Sequence, residues 1–262
     1  MKSIISISGI VLLSIAISCS TAMEKRVLVF QDEFSENSID PSKWTFETGG
    51  DGFGNNELQY YTKDRKENAR IEDGKLVIEA KKEKWEKNDY TSAKLVTKET
   101  FPFKYGSVEV RAKLPKGKGT WPAIWMLSEN IKEWPDDGEI DIMEHVGYNE
   151  GFIHASVHTK KYNHIIGTQK TDTIIVKNAT SEFHVYRADW TPEKIEMYVD
   201  NKKYFTYINT EKTYDAWPFD QPFYLILNQA VGGNWGGKEG VDSGIYPQKF
   251  LIDYVRVYKL NN

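Results

Sequence analysis

The stretch Tyr105-Gly106-Ser107-Val108-Glu109-Val110-Arg111-Ala112-Lys113-Leu114 alternates apolar and polar residues from Val108 onward. Successive side chains of an extended strand point to opposite faces. Val108, Val110, Ala112 and Leu114 therefore line one face, and Glu109, Arg111 and Lys113 the other. The same two-residue period appears in Lys75 to Ala80 after the Asp73-Gly74 turn, in Ile153 to His158, Phe183 to Trp190, Lys194 to Val199, Phe223 to Val231 and Lys249 to Tyr258. Thr191-Pro192 and Asp200-Asn201 read as turns between strands. No long stretch carries a helical period, and no repeat, low-complexity tract or linker interrupts the chain. The pattern predicts one all-β domain of two stacked antiparallel sheets.

The chain has 262 residues, with 34 Lys and Arg against 38 Asp and Glu and a net charge of -4. Basic residues such as Lys81, Lys82, Lys84 and Lys87 are mixed with Glu83 and Glu86, which argues against nucleic acid as a partner. Lys2 followed by the uncharged stretch Ser3 to Ser18 has the charged start and apolar middle of a secretory signal, and is too short to span a bilayer stably. A buried N-terminal helix is the alternative. Cys19 is the only cysteine, and Ala16-Ile17-Ser18-Cys19 is similar to the lipid-attachment box of bacterial lipoproteins, with Ala16 where Leu is usual. A signal-peptide cysteine without a role is the other reading. The expectation is a signal over residues 1–18 and a single domain over 19–262. The protein would be exported as a cell-surface or periplasmic lipoprotein or secreted, monomeric, and in membrane contact only through an anchor at Cys19. With no cysteine left for a disulfide or thiolate site, the mature domain depends on its core, which a chain of this length can build. Aromatic residues make up 13% of the chain, including eight Trp, so some are expected at a binding surface.

The chemistry concentrates in Asp137-Gly138-Glu139-Ile140-Asp141-Ile142-Met143-Glu144-His145-Val146. Strand alternation puts Glu139 and Asp141 on one face and sends Glu144 to the other, into the core, where an unpaired carboxylate costs several kcal/mol. One extra residue, a β-bulge near Ile142-Met143, restores the phase and brings all three acids to one surface. Glu139 and Glu144 are then about four strand rises apart, roughly 13 Å along the backbone. Leaning side chains can bring their carboxyls to about 5 Å. Three carboxyl groups so close cannot all ionise easily, so at least one must hold its proton at neutral pH. A solvated acidic edge or a cation site is the reading without context. The preceding Gly119-Thr120-Trp121-Pro122-Ala123-Ile124-Trp125-Met126 supplies context, because indoles stack on the flat C–H faces of sugar rings.

At these residues the chain resembles glycoside hydrolase family 16, and within it the bacterial laminarinase-like endo-β-1,3-glucanases. The resemblance runs from Phe30-Gln31-Asp32-Glu33-Phe34 through Asn55-Asn56-Glu57-Leu58-Gln59-Tyr60-Tyr61, the Trp121 run, the acidic segment and Gly232-Gly233-Asn234-Trp235-Gly236-Gly237 to Asp253-Tyr254-Val255-Arg256-Val257-Tyr258. It implies a β-jelly roll with a substrate cleft on its concave sheet. It also implies retaining hydrolysis, with Glu139 as nucleophile, Glu144 as general acid and then base, and Asp141 as assisting carboxylate. The two residues between Asp141 and Glu144 resemble the laminarinase side of the family, whose substrates are β-1,3-glucans, and whose bulged members also cut mixed-linkage glucans and algal galactans. A non-catalytic β-glucan-binding protein and a hydrolase of another algal polysaccharide such as agarose are the alternatives.

Further candidates surround this segment. Trp121 and Trp125 share a strand face and are read as cleft residues rather than core, as is Trp134 beside Pro135. Trp235, embedded in glycines, is read as lining a subsite. Asn56 is implied by the resemblance to bind sugar hydroxyls. Asn228 is also counted among the substrate-binding residues. Arg111 is expected either to orient substrate or to pair at the surface, with the cleft favoured. His158 is expected to hydrogen-bond near Glu144; His154 shares its strand face, but no third ligand completes a zinc site. Trp44 and Trp190 are read as core. Asp253 sits on the inward phase of the last strand and needs a partner. By the resemblance it holds a structural Ca2+ on the convex side, with the carbonyls of Glu33 and Gly74. No cofactor is expected for catalysis.

Overall fold

A computed structural model describes residues 26–260; the signal and the Cys19 anchor expected from the sequence lie outside the described residues. In chain order the strands are β1 (Arg26–Asp32), β2 (Thr45–Phe46), β3 (Gln59–Tyr61), β4 (Ala69–Glu72), β5 (Lys75–Trp85), β6 (Asn88–Ser92), β7 (Lys94–Val96), β8 (Gly106–Lys113) and β9 (Thr120–Ser128). They continue as β10 (Glu139–His145), β11 (Phe152–His158), β12 (Lys170–Ile175), β13 (His184–Trp190), β14 (Lys194–Val199), β15 (Lys202–Ile208), β16 (Phe223–Val231) and β17 (Gln248–Leu260). One sheet runs β15-β14-β13-β8-β17-β5-β6-β3, with β1 beside β17 and β4 beside β5; the other runs β12-β11-β10-β9-β16-β7-β2. Pairing is antiparallel except between β3 and β6. This is the two-sheet all-β architecture expected from the alternation.

The apolar faces meet between the sheets. Val108, Val110 and Ala112 of β8 pack in one cluster with Ile124 and Met126 of β9, Ile140 and Ile142 of β10, and Leu225 and Leu227 of β16. Trp44 and Trp190 are core residues, each 1% exposed. Because Ile124 and Met126 face inward, Trp121, Ala123 and Trp125 face outward from the seven-stranded sheet.

The predicted bulge is present. Against β11 the register of β10 shifts between Asp141 and Glu144, and against β9 between Asp141 and Met143. Ile142 has no register partner on either side. Its side chain fills the core, and its carbonyl accepts a hydrogen bond at 3.2 Å from Tyr204 Oη, on β15 of the opposite sheet. Beyond the bulge the phase is reversed, so Glu144 faces outward while His145 is fully buried. Burial keeps His145 neutral, pushing its pKa down to about 4.

A buried carbonyl that loses its donor costs about 1–3 kcal/mol. Tyr204→Phe should therefore lower the urea-unfolding free energy by about that much. An unchanged midpoint would show that the bulge does not need this bond.

Candidate active site

A cleft of about 650 Å3 lies over the outer face of the seven-stranded sheet, with Glu139, Asp141 and Glu144 at its floor. The turn before β10 aims the first of them. Gly138 has φ +88, and a Cβ there would meet Pro218 Cγ at 2.8 Å, so the chain enters the strand through a space only glycine fits. Asp137 braces the preceding loop by accepting from the Lys132 and Glu133 amides at 2.6 and 3.0 Å.

Two indoles hold the outer acids. Trp134 Nε1 donates to Glu139 Oε2 at 2.9 Å, and Trp121 Nε1 donates to Glu144 Oε1 at 3.0 Å. Trp125 Nε1 donates to Asn228 Oδ1 at 2.7 Å, and Asn228 Nδ2 donates to Tyr61 Oη at 2.8 Å. Tyr61 in turn donates to Glu57 at 3.3 Å. Lys94 is buried in the same wall, paired with Glu47 at 2.6 Å and facing the rings of Trp125 and Phe53. Seven of the eleven residues expected in catalysis or binding thus line one cavity: the three acids, Trp121, Trp125, Trp134 and Asn228.

The remaining four candidates are placed differently. His158 is opposite Glu139 in the ladder, while Glu144 is opposite His154. Its Nε2 is therefore 3.3 Å from Asp141 Oδ2 and 4.0 Å from Glu139 Oε1, so the expected position near Glu144 is corrected by the bulge register. Arg111 is not in the cleft. It lies on β8 of the other sheet, ion-paired with Asp253 at 2.5 Å and facing the Phe183 ring. Trp235 supports the cleft from behind, edge-on to Trp121 with ring centres 5.6 Å apart. Gly236 permits this approach, since a Cβ there would meet Trp121 Cβ at 2.8 Å. Asn56 is an exposed rim residue whose Nδ2 donates to Asn234 Oδ1 at 2.9 Å; Asn55 and Asn234 face the cavity instead. Phe53, Glu57, Tyr61, Lys94, His164 and Ile165 complete the wall without having been singled out as binding residues.

All three acids are held toward their protonated forms. Burial is the first cause for each, and it pushes Glu139 up to about 8, with the charge of Asp141 adding to it. Asp141, 2% exposed, is raised by burial, and Glu144 is raised well above the usual range by burial and then by Asp141 and Glu139. The indole donors and His158 oppose this at Glu139 and Glu144 by favouring the charged form. One ligand atom from each of Glu139, Asp141 and His158 lies within 4.8 Å of the others, close enough to meet a cation. Three buried acids held toward their protonated forms, beside indole donors, are equipment for acid–base chemistry on a sugar chain.

Residues 56–256 match the profile of the Glycosyl hydrolases family 16. The chain belongs to this family. It is 50% identical over 265 residues to a β-glucanase of Rhodothermus marinus, covering 95% of this chain and 93% of that one. The structure of the laminarinase from Rhodothermus marinus superposes with a TM-score of 0.89 at 50% identity, over 92% of this chain and all of that one. That of SCLam, a non-specific endo-β-1,3(4)-glucanase, does so at 0.86 and 46% identity, over 90% of this chain and 92% of that one. As a family 16 member the chain is a glycoside hydrolase.

The raised carboxyls carry a stability cost with a definite sign. Glu139 ionises near 4.5 when unfolded and near 8 when folded. Its contribution is fully favourable below the unfolded value and is lost as pH rises through the folded one. The melting temperature should thus fall between about pH 5 and 8, and Glu139→Gln should flatten this fall and melt at least ~2 °C higher at pH 8. Parallel pH profiles for variant and native protein, read by calorimetry, would contradict the assignment.

Proposed function

We propose that this protein is a retaining endo-hydrolase of β-1,3-glucosidic bonds in glucans of the laminarin type, and that it also cuts mixed-linkage β-1,3-1,4-glucan. The observation that carries the reading is the different neighbours of the two outer acids, with His158 opposite Glu139 and His154 opposite Glu144. Burial, and then the charges of Asp141 and Glu139, hold Glu144 toward its protonated form, as a donor to the leaving oxygen must be. Glu139 receives both the Trp134 N–H and the influence of His158, which stabilise the carboxylate that attacks the anomeric carbon. Asp141 lies next to Glu139 on the same face, and His158 touches it. When Asp141 keeps the proton that the pair cannot both lose, Glu139 is free as a nucleophile. After the glycosyl-enzyme forms, Glu144, now deprotonated, takes a proton from water, and that water releases the sugar.

The mixed specificity is supported by the relatives, whose descriptions span laminarinase and non-specific endo-β-1,3(4)-glucanase. A protein that only bound glucan would need the indoles and not three buried acids, whose burial costs stability. The purified protein should release oligosaccharides from laminarin and from barley β-glucan. Glu139→Gln and Glu144→Gln should each lower kcat by at least about 10^3-fold while folding is kept. Undiminished activity in either variant would sink the role given to that residue.

The structural calcium implied by the resemblance also belongs to this reading. β1 pairs with β17 up to Asp32 opposite Val255, and β5 up to Leu76 opposite Ile252. Glu33 and the Asp73-Gly74 turn therefore end on either side of Asp253, where β17 bulges against β8. The same bulge corrects the inward phase expected for Asp253: its side chain is 28% exposed, and Oδ2 accepts from Arg111. The Glu33 side chain is paired with Arg256, so its carbonyl is the group left to serve. These donors suit a hard cation with oxygen ligands, which would tie three strand ends together. Chelation with EDTA should lower the melting temperature by about 5–10 °C relative to Ca2+ present at 100 times its dissociation constant. Asp253→Asn should remove the difference. Identical melting with EDTA and with Ca2+ would dismiss the site.

A further inference from the structure

A second cavity, of about 640 Å3, opens where the β13–β14 turn, the end of β15 and the segment leading to β16 meet, and it shares no lining residue with the cleft. Its walls hold two large apolar surfaces left uncovered: Ile208 is 54% exposed and Tyr214 53%. The Tyr214 ring is fixed at its tip, where Oη donates to Asp137 Oδ1 at 2.6 Å and accepts from Gln221 Nε2 at 3.1 Å. With its edge anchored, the ring presents a face at little further cost in conformational entropy. Around it stand acceptors. Tyr105 Oη and Trp217 Nε1 both donate to Asp220 Oδ1, at 2.6 and 2.9 Å. Asp220 Oδ2 and Gln221 Oε1 have no hydrogen-bond partner among the described residues. Lys212 is the one cation in the lining, against Glu193 and Asp220.

An anchored aromatic face beside an aliphatic side chain, ringed by carboxylate and amide acceptors, suits a ligand with flat C–H faces and outward hydroxyl donors. The acidic balance disfavours sulfated or phosphorylated chains. The volume is in the range of small-ligand sites, about 300–1,000 Å3. We propose that this cavity holds a segment of neutral glucan outside the cleft, as a second attachment point on the polymer. The identity of the ligand rests on the substrate proposed for the cleft. Two contacts with one particle of polymer multiply rather than add, so the second site acts on retention at an insoluble surface and not on turnover of a short soluble chain.

The test compares Tyr214→Ala with Tyr214→Phe, each in the Glu139→Gln background, by depletion from solution onto insoluble β-1,3-glucan. Both variants lose the bond to Asp137, and only the first loses the ring. Tyr214→Ala should be retained about five- to tenfold more weakly than Tyr214→Phe. In the active background both should cleave a short soluble oligosaccharide at equal rates. Equal retention of the two overturns the second site, as does an unequal rate on the short chain, which would make the ring a support of the cleft. Release from soluble laminarin by the native protein separates the two readings. If it occurs and retention is equal, the second site alone falls; if it does not occur, the cleft reading falls and the ligand named here falls with it.

Discussion

The structure depends on one constraint: three carboxyl groups within six residues must share the outer face of a strand whose other face is core. A regular β10 cannot do this. The inserted residue at Ile142 resolves the conflict by giving Ile142 to the core, turning its carbonyl to Tyr204 and returning Glu144 to the surface held by Glu139 and Asp141. Everything chemical follows from that phase change. It sets His158 against Asp141 and Glu139 and leaves His154 opposite Glu144, so the two ends of the acid row have different neighbours. Unequal neighbours are what separate a nucleophile from a proton donor when both are the same residue type.

Burying the acids is also the main charge on the fold. Among the described residues the groups around them include neutral indole donors and the imidazoles of His158 and His154, and the nearby buried lysine, Lys94, already faces Glu47. Repulsion among the carboxyls is therefore relieved by protons rather than by counter-ions. A site arranged this way keeps a mobile proton inside it at neutral pH, and stability is given up to hold it there.

Much of this was legible in the sequence because strand parity is a local property. The alternation of Val108 to Leu114 gave the buried face of β8, and the misplaced phase of Glu144 required the bulge before any coordinate was known. Parity says inward or outward, however, and not which of two sheets a residue faces outward from. Arg111 was read as facing outward and is, but on the sheet without the cleft. Asp253 failed for a related reason, since a second bulge that no buried charge demanded shifted its phase. The walls of the cleft were least legible. Phe53, Lys94 and His164 come from loops or a three-residue strand, and nothing local to them announces distant partners such as Glu47 for Lys94 or Trp134 for His164; His158 lay in a readable strand, but its neighbour depended on ladder register.

The indole donors have a further consequence. An indole N–H does not titrate, so the position of each carboxylate is set by a bond that survives every protonation state the reaction passes through. The two bonds also come from separate parts of the chain, Trp121 from β9 and Trp134 from the loop before β10. Drift in the loop can therefore move Glu139 while Glu144 stays where the sheet put it, which gives the scaffold two independent adjustments of the acid row.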